Sequence, residues 1–476
     1  MKRQVISLKE SSVILTMRSL LALSLSAFLA ASGCHRTPPR LVVQPAKRRL
    51  PGEIVRSDRI RDAFPIRLGI VATRGLRDGG PEQEDCARAG IPLGAASENW
   101  LASTCDVVVL DAKCITPDTF PRMRAIQKLF TPLLFTYASE VFDDPTAHGT
   151  IGVWKPEMSS WQLTDSSGKP LNDEAAHGHW MDCGNSKWAE YFASSSYVLS
   201  SKYHSFGVLA ADLPTSDTVG DLKPREYKTF ASRVDATSSF LTTVHNPSRF
   251  MLVASSIGFE TLIGRATLPV EKIRTEPQLQ GRSWDEMNSV IDGAWCEGWV
   301  RPYWAAAPLN ENAWEMQVEA ADRAARIDNV FIASLAYTNT EELEYGLASY
   351  LLACHSQGRL VLQPMPVYPG EPVDAGMSLS VMQREFNRYR NYFDSPLGGP
   401  VQERHEIPAT GGEVWRRRFQ NGDVYVNSHD RGALTVQLAG PMLTAAGQSI
   451  TNFTLGPHSG IILHNVPSSA KSQMKR

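Results

Sequence analysis

The chain has 476 residues, a formal net charge of −2, 42% hydrophobic and 21% charged residues. This balance excludes disorder over most of the length and a nucleic-acid reader driven by bulk positive charge. The length suits a barrel with an accessory module better than one ordinary small domain. Eleven Trp and thirteen Tyr supply the flat apolar faces that sugar clefts use, although core packing accounts for most such residues.

In chain order, the first feature is the apolar run Leu20 to Ala31, preceded by Arg18. A bilayer-spanning helix needs roughly 20 apolar residues, so this run reads as the core of a secretory signal over residues 1–34. Met17 offers a more compact start for it. Ala31-Ser32-Gly33-Cys34 resembles a bacterial lipobox, with Ala31 where Leu or Val is usual. That resemblance implies a diacylated Cys34 as the mature N-terminus and a membrane anchor facing the periplasm or outer membrane. Plain secretion and an uncleaved anchor are the alternatives. Residues 35–60 are rich in Pro and Arg, with no apolar period, and read as a tether. The remaining cysteines, Cys86, Cys105, Cys114, Cys183, Cys296 and Cys354, show no metal spacing. An export signal permits disulfides among them, but the sequence does not choose the pairs.

From residue 61 to 394, short apolar runs alternate with helical segments. Strands are predicted at Arg67–Ala72, Asp106–Leu110, Leu129–Tyr137, Gly207–Ala211, Phe250–Ser255, Gly293–Cys296, Val330–Ala336 and Arg359–Gln363, with a weak one near Trp161–Leu163. Runs such as VVVL fit strands buried on both faces, as in a parallel sheet. Helices are expected at Pro121–Lys128, Ser186–Ser200, Pro224–His245, Ala313–Ile327 and Thr340–Gln357, with Asn185 and Thr340 as N-caps. Alternation repeated about eight times points to α/β architecture as a (β/α)8 TIM barrel. A doubly wound sheet is the rival, but no GxGxxG or P-loop follows the first strand. After the Pro/Gly-rich stretch from Pro366 to Ser378 and one more helix (Val381–Tyr392), residues 395–470 change texture. Glu413–Phe419, Asp423–Asn427, Leu434–Leu438 and Gly460–Leu463 read as short antiparallel strands of a small β-sandwich, with Asn421-Gly422 as a hairpin turn. Few residues separate this module from the preceding helix, so it is expected to pack on the barrel.

Catalytic groups of such barrels sit where strands end. Asp212 closes the fourth strand and Glu297 the sixth. A carboxylic acid and a carboxylate facing one another are what glycoside hydrolysis requires. Either acid alone means little, since carboxylates often cap loops after strands. Trp295 and Trp299 flank Glu297 and would raise its pKa by desolvation, unless they pack against helices instead. Trp295 and Trp299 are also candidate sugar contacts, as are other polar or aromatic strand ends: Arg74, Asp111, Tyr137, Tyr337 and Gln363, with Trp161 in the insertion before the fourth strand. Asp182 reads as a structural partner of the helix that follows it. No HxH, HxxE or DxD set falls at a strand end, so no metal and no cofactor is expected; His177 and His179 lie in a loop.

The segments WQLTDSSGKPLND, HWMDCGNSKWAEYF and FGVLAADLP, with IDGAWCEGW and the tail motifs YFDSPLGGP and PHSGIIL, resemble the hypothetical glycosyl-hydrolase-like family numbered fifteen. That resemblance implies a glycoside-hydrolase barrel with a C-terminal β-domain. Its first acidic motif has an Asp before the strand glycine, where this chain has Phe206. The Asp and Glu pairing further resembles dextranase-type barrels, which implies Asp212 as nucleophile and Glu297 as acid/base, with retention of configuration. A carbohydrate is then the partner, with the membrane reached through the lipid anchor and no nucleic acid involved; the oligomeric state is not legible. Two rivals are a non-catalytic glycan-binding envelope lipoprotein on the same scaffold and a metal-dependent deacetylase.

Overall fold

The computed structural model describes residues 66–72, 92–128, 130–145, 147, 149–173, 177–211, 213, 224–226, 230–245, 251–255, 291–301, 307–327, 329–355, 359–367 and 379–466. Cys34, Arg74 and Asp212 lie outside the described residues.

Eight strands form one sheet, in the order β1 (Gly69–Ala72), β2 (Val107–Leu110), β3 (Thr131–Tyr137), β7 (Gly207–Ala211), β8 (Met251–Ser255), β9 (Gly293–Cys296), β10 (Val330–Tyr337) and β11 (Arg359–Pro366). Every neighbouring pair is parallel. The two edges meet: Leu68 bridges Leu362 in parallel, and the Leu362 amide donates to the Arg67 carbonyl at 2.7 Å. Side chains alternate between the two faces. One set, including Val71, Val109, Leu133, Phe135, Leu209, Trp295, Ile332 and Val361, packs into an inner cluster. The other set, including Ile70, Val108, Leu134, Val208 and Leu335, joins helix residues such as Phe120, Trp188, Phe240, Trp314 and Leu351 in the outer core. Both faces are therefore dry, which explains the unbroken apolar runs.

Among the described residues the α-helices are α1 (Ala95–Thr104), α2 (Thr119–Ile126), α3 (Ser186–Tyr203), α4 (Phe230–Val244), α5 (Glu311–Arg326), α6 (Thr340–Ala353), α7 (Leu379–Arg388) and α8 (Arg390–Phe393). Asn185 caps α3 through the Lys187 amide, as expected. The cap of α6 is Asn339 and not Thr340, because the Asn339 carboxamide oxygen accepts from the Glu342 amide at 3.0 Å. Between β3 and α3 the chain makes an excursion with its own small sheet, β4 (Glu140–Phe142), β6 (Gly178–Trp180) and β5 (Asn172–Asp173). Of the weak strand expected near Trp161–Leu163, Trp161 closes a 3-10 helix, Pro156–Trp161, opened by a proline whose missing N–H suits a helix start, while Gln162 makes a single antiparallel bridge to Met181.

The C-terminal module departs from the expected sandwich. Its strands β12 (His405–Ala409), β13 (Gly412–Phe419), β14 (Gly422–Asn427), β17 (Ser459–Asn465), β15 (Leu434–Thr444) and β16 (Ser449–Leu455) form a single antiparallel sheet. A register irregularity between Gln437 and Met442 divides β15, and a Thr410–Thr435 bridge brings the first strand back to it. A bulge of this kind bends a long strand, so one sheet curls where two were expected. The hairpin turn is Gln420-Asn421, since Phe419 pairs with Gly422. Gly422 serves close approach instead: a Cβ there would lie 2.1 Å from the Leu463 carbonyl oxygen.

This module packs on α5 and α6. Arg417, 2% exposed, donates from Nη1 to the Leu352 and Leu351 carbonyls at 2.6 and 3.3 Å. A cation thereby satisfies the open carbonyls at the C-terminus of α6. Asp430 accepts the Glu311 amide at the start of α5, and Trp415 meets Trp314 at 6.0 Å.

Candidate functional site

Glu297 is the first residue past β9, half-buried, at the C-terminal end of a parallel strand. Of the two residues before it, Trp295 belongs to the inner cluster and Cys296 to the outer core, so strand alternation carried one residue further would give Glu297 the side of Trp295. Trp295 is 6% exposed and donates its indole N–H to Ser334 Oγ at 2.8 Å. The Ser334 hydroxyl donates to Gln363 Oε1 at 2.7 Å, and Gln363 Nε2 donates to the Val71 carbonyl at 3.1 Å. This buried relay ties β9, β10, β11 and β1 together under the strand ends. Each member has a partner, as burial demands. Gln363, expected as a sugar contact, is committed to the relay.

The turn that follows Glu297 is held from two directions. The Trp299 amide donates to the Ser334 carbonyl at 3.0 Å. From α5, Gln317 accepts the Val300 amide at 2.7 Å and donates to the Gly298 carbonyl at 2.9 Å and to Cys296 Sγ at 3.3 Å. Val300 adopts φ +49°, a conformation that costs a β-branched residue about 1–3 kcal/mol and persists only where its surroundings enforce it. Arg301, just beyond, pairs with Glu342 of α6.

The other expected contacts take structural places. Trp299 is fully buried, edge-on to Phe331, with its indole N–H on the Gly346 carbonyl at 3.0 Å. It packs against α6 and presents no face to a substrate. Asp111 is 2% exposed; its oxygens accept the amides of Lys113 at 2.7 Å and Gly149 at 2.5 Å. Tyr137 packs against Phe135 and Phe142, and a Cβ on Gly149 would strike its ring at 2.7 Å. Asp111 and Tyr137 thus fasten the start of the excursion. Tyr337 is buried against Tyr389. Trp161 is half-buried against Tyr191. Asp182 accepts the Gly184 amide just before α3, a structural part.

Ser334 and Gln317 were not among the expected site residues. Both had a sequence signal: each is a lone polar residue in an otherwise buried apolar stripe, FIASLAY on β10 and the Trp314–Val318–Ala321 face of α5. Such residues need partners, and the partners here flank Glu297.

Among the described residues one carboxylate–histidine group has metal-like spacing, Asp322, His355 and Glu403. Arg326 already donates to Asp322 at 2.8 Å and to Glu403 at 2.7 Å, and Arg404 lies 3.5 Å from Asp322. Burial opposes ionisation of Asp322, but His355, Arg326 and Arg404 outweigh it and hold its carboxyl down to about 2. Two guanidinium groups neutralise the charge a cation would need, so this is a salt-bridge network between the helices and the module. His179 of the expected His pair stacks on Trp154 at 4.5 Å and bonds Asp143 at 2.9 Å and Gln162 at 2.7 Å. No described helix is long and apolar enough to cross a membrane. Among the described cysteines, Cys105, Cys183, Cys296 and Cys354 are not disulfide-bonded, while Cys114 is in a disulfide whose partner lies outside the described residues.

No protein-family model matches the chain, so the resemblance to family fifteen rests on its short motifs. No curated protein matches it in sequence. Solved structures of similar layout include an α-amylase from Anoxybacillus, at 10% identity over 86% of this chain and 99% of that one, TM-score 0.47. A maltogenic α-amylase from Thermotoga neapolitana matches at 10% identity over 85% and 100%, TM-score 0.46. A cyclic α-maltosyl-(1→6)-maltose hydrolase from Arthrobacter globiformis matches at 13% identity over 86% and 100%, TM-score 0.44.

Proposed function

We propose that the protein is a glycoside hydrolase on a (β/α)8 barrel, cleaving an oligo- or polysaccharide with Glu297 as acid/base and Asp212 as nucleophile. One observation carries this reading. Glu297 stands first past β9, in a sheet whose strands all run one way and whose edges meet, at the end where such barrels hold their chemistry. In sequence, Asp212 follows the last residue of β7, two strands along the same sheet.

In this reading Glu297 protonates the departing glycosidic oxygen while the Asp212 carboxylate attacks the anomeric carbon. The deprotonated Glu297 then takes a proton from water, which hydrolyses the glycosyl ester with net retention. Retention requires carboxyl groups roughly 5–5.5 Å apart, whereas inversion uses roughly 6.5–9.5 Å. The apolar run before Cys34 supports export, and the lipobox-like ASGC supports anchoring through acylated Cys34.

The test is turnover of the purified chain on a panel of bacterial, algal and plant polysaccharides, with Glu297→Gln beside it. Turnover lost in Glu297→Gln with an unchanged circular-dichroism spectrum supports the reading. Glycan binding without turnover points instead to the non-catalytic envelope lipoprotein.

A further inference from the structure

We propose that Ser334 and Gln317 are positioning residues that fix the Glu297 carboxyl on its turn. The inference rests on the reading of Glu297 as acid/base and adds what makes that residue usable. Ser334 engages the residues two before and two after Glu297: its hydroxyl accepts from the Trp295 indole and its carbonyl accepts from the Trp299 amide. One residue of β10 therefore spans the turn from both sides.

Gln317 completes the clamp from α5. Its carboxamide receives the Val300 amide, and its NH2 reaches the Gly298 carbonyl and Cys296 Sγ. Trp295, Cys296, Gly298, Trp299 and Val300 each have a hydrogen bond to one of these two side chains or to the Ser334 carbonyl. Ser334 and Gln317 are 0% and 1% exposed, so their bonds do not compete with bulk water. The left-handed Val300 is held at its amide by Gln317 and at its carbonyl by the Leu309 amide, 3.0 Å away. A tight turn in an unfavourable conformation, satisfied on both sides, is a device for constancy of geometry. A proton donor must keep its oxygen within a few tenths of an ångström of its target, and a side chain on a loop achieves this only through such support.

The experiment follows the Glu297 carboxyl directly in the full chain. Glutamate is labelled with 13C at Cδ, and the Glu297 resonance is identified by its loss in Glu297→Gln. A single sharp resonance with one titration midpoint is expected for the wild type. Ser334→Ala and Gln317→Leu should each move that midpoint by about half a pH unit or more and broaden or split the line, because the carboxyl then samples several surroundings. An unchanged Glu297 titration in folded variants overturns the proposal. Should neither variant fold, exchange of the wild-type Trp299 and Val300 amides decides: protection supports the clamp, and exchange at the rate of exposed amides overturns it. Failure of the catalytic reading is separate, since it shows as unimpaired turnover in Glu297→Gln whatever the resonance does.

Discussion

Glu344 of α6 accepts the backbone amide of Ile462 on β17 at 3.1 Å, so a carboxyl lies in the seam between helix and C-terminal sheet. Burial pushes its pKa up to about 7 from 4.5, against the pull of the Ile462 amide and the Tyr392 hydroxyl. Between those two values the folded chain keeps a proton that the unfolded chain releases. This group therefore favours folding most below pH 4.5, and its contribution falls as pH rises through about 7. Glu344→Gln keeps an acceptor for Ile462 and carries no charge. Its melting temperature should exceed that of the wild type at pH 8, by an amount on the order of 2 kcal/mol in stability, and match it near pH 4.5. A gap independent of pH would contradict the assignment.

The eight strands of the large sheet were legible because both faces are buried, which writes unbroken runs such as Val107–Leu110 and Gly207–Ala211. Helix α1 was not, because its sequence AASENWLAST carries almost no apolar period. The curl of the C-terminal sheet was hidden for another reason. It depends on β15 changing partner midway, from β16 at Leu434–Gln437 to both β16 and β17 near Met442, and partner choice leaves no local mark. At the candidate site, the sequence places Glu297 directly after a strand, where the structure has it, but it also offers Asp111, Trp299 and Gln363 as substrate contacts. Each is polar or aromatic near a strand end, and only the fold shows that Gly149, Gly346 and Val71 occupy their polar atoms.

Arg417 is a buried guanidinium whose bonds close the end of α6. Arg417→Met preserves much of the apolar stem but leaves the Leu351, Leu352 and Gln402 carbonyls without that donor, a loss of about 2–3 kcal/mol. Arg418, half-exposed and 3.7 Å from Asp423, is the control; Arg418→Met should change stability by less than about 1 kcal/mol. Chemical denaturation of the two variants checks the contrast, and equal losses would show that the helix end does not depend on Arg417.

The Asp322 network predicts the opposite pH dependence from Glu344. With its folded-state pKa held at about 2 against an ordinary 3.8, Asp322 stabilises the fold above pH 3.8 and loses that effect as pH falls towards 2. Asp322→Asn should therefore be less stable than the wild type at pH 7, with Arg404 left half-paired inside the seam. The two proteins should converge as the pH approaches 2. Added zinc should leave the wild-type melting temperature unchanged, since Arg326 and Arg404 occupy the acids; a metal-dependent rise would show a cation displacing them.

Lipidation is checked apart from the fold. With Cys34 acylated, labelled palmitate enters the wild type and not Cys34→Ala, and the wild type partitions with membranes after a high-salt wash. More than one acyl chain gives firm anchoring, whereas a single chain holds only marginally. Equal labelling of the two proteins would exclude Cys34 as the acceptor.

The roles of the two acids separate through the leaving group. Protonation matters most when the departing oxygen is a poor leaving group, as in a natural glycoside, and little when it is a nitrophenolate. Glu297→Gln should consequently lose several orders of magnitude on the natural bond and far less in the first step on a nitrophenyl glycoside. Asp212→Asn should lose on both, because no carboxylate remains to attack the anomeric carbon. Azide, a nucleophile that needs no general base, should restore part of the activity of Glu297→Gln as a glycosyl azide product. Equal losses for the two variants on both substrates, with no azide product, would remove the acid/base role from Glu297.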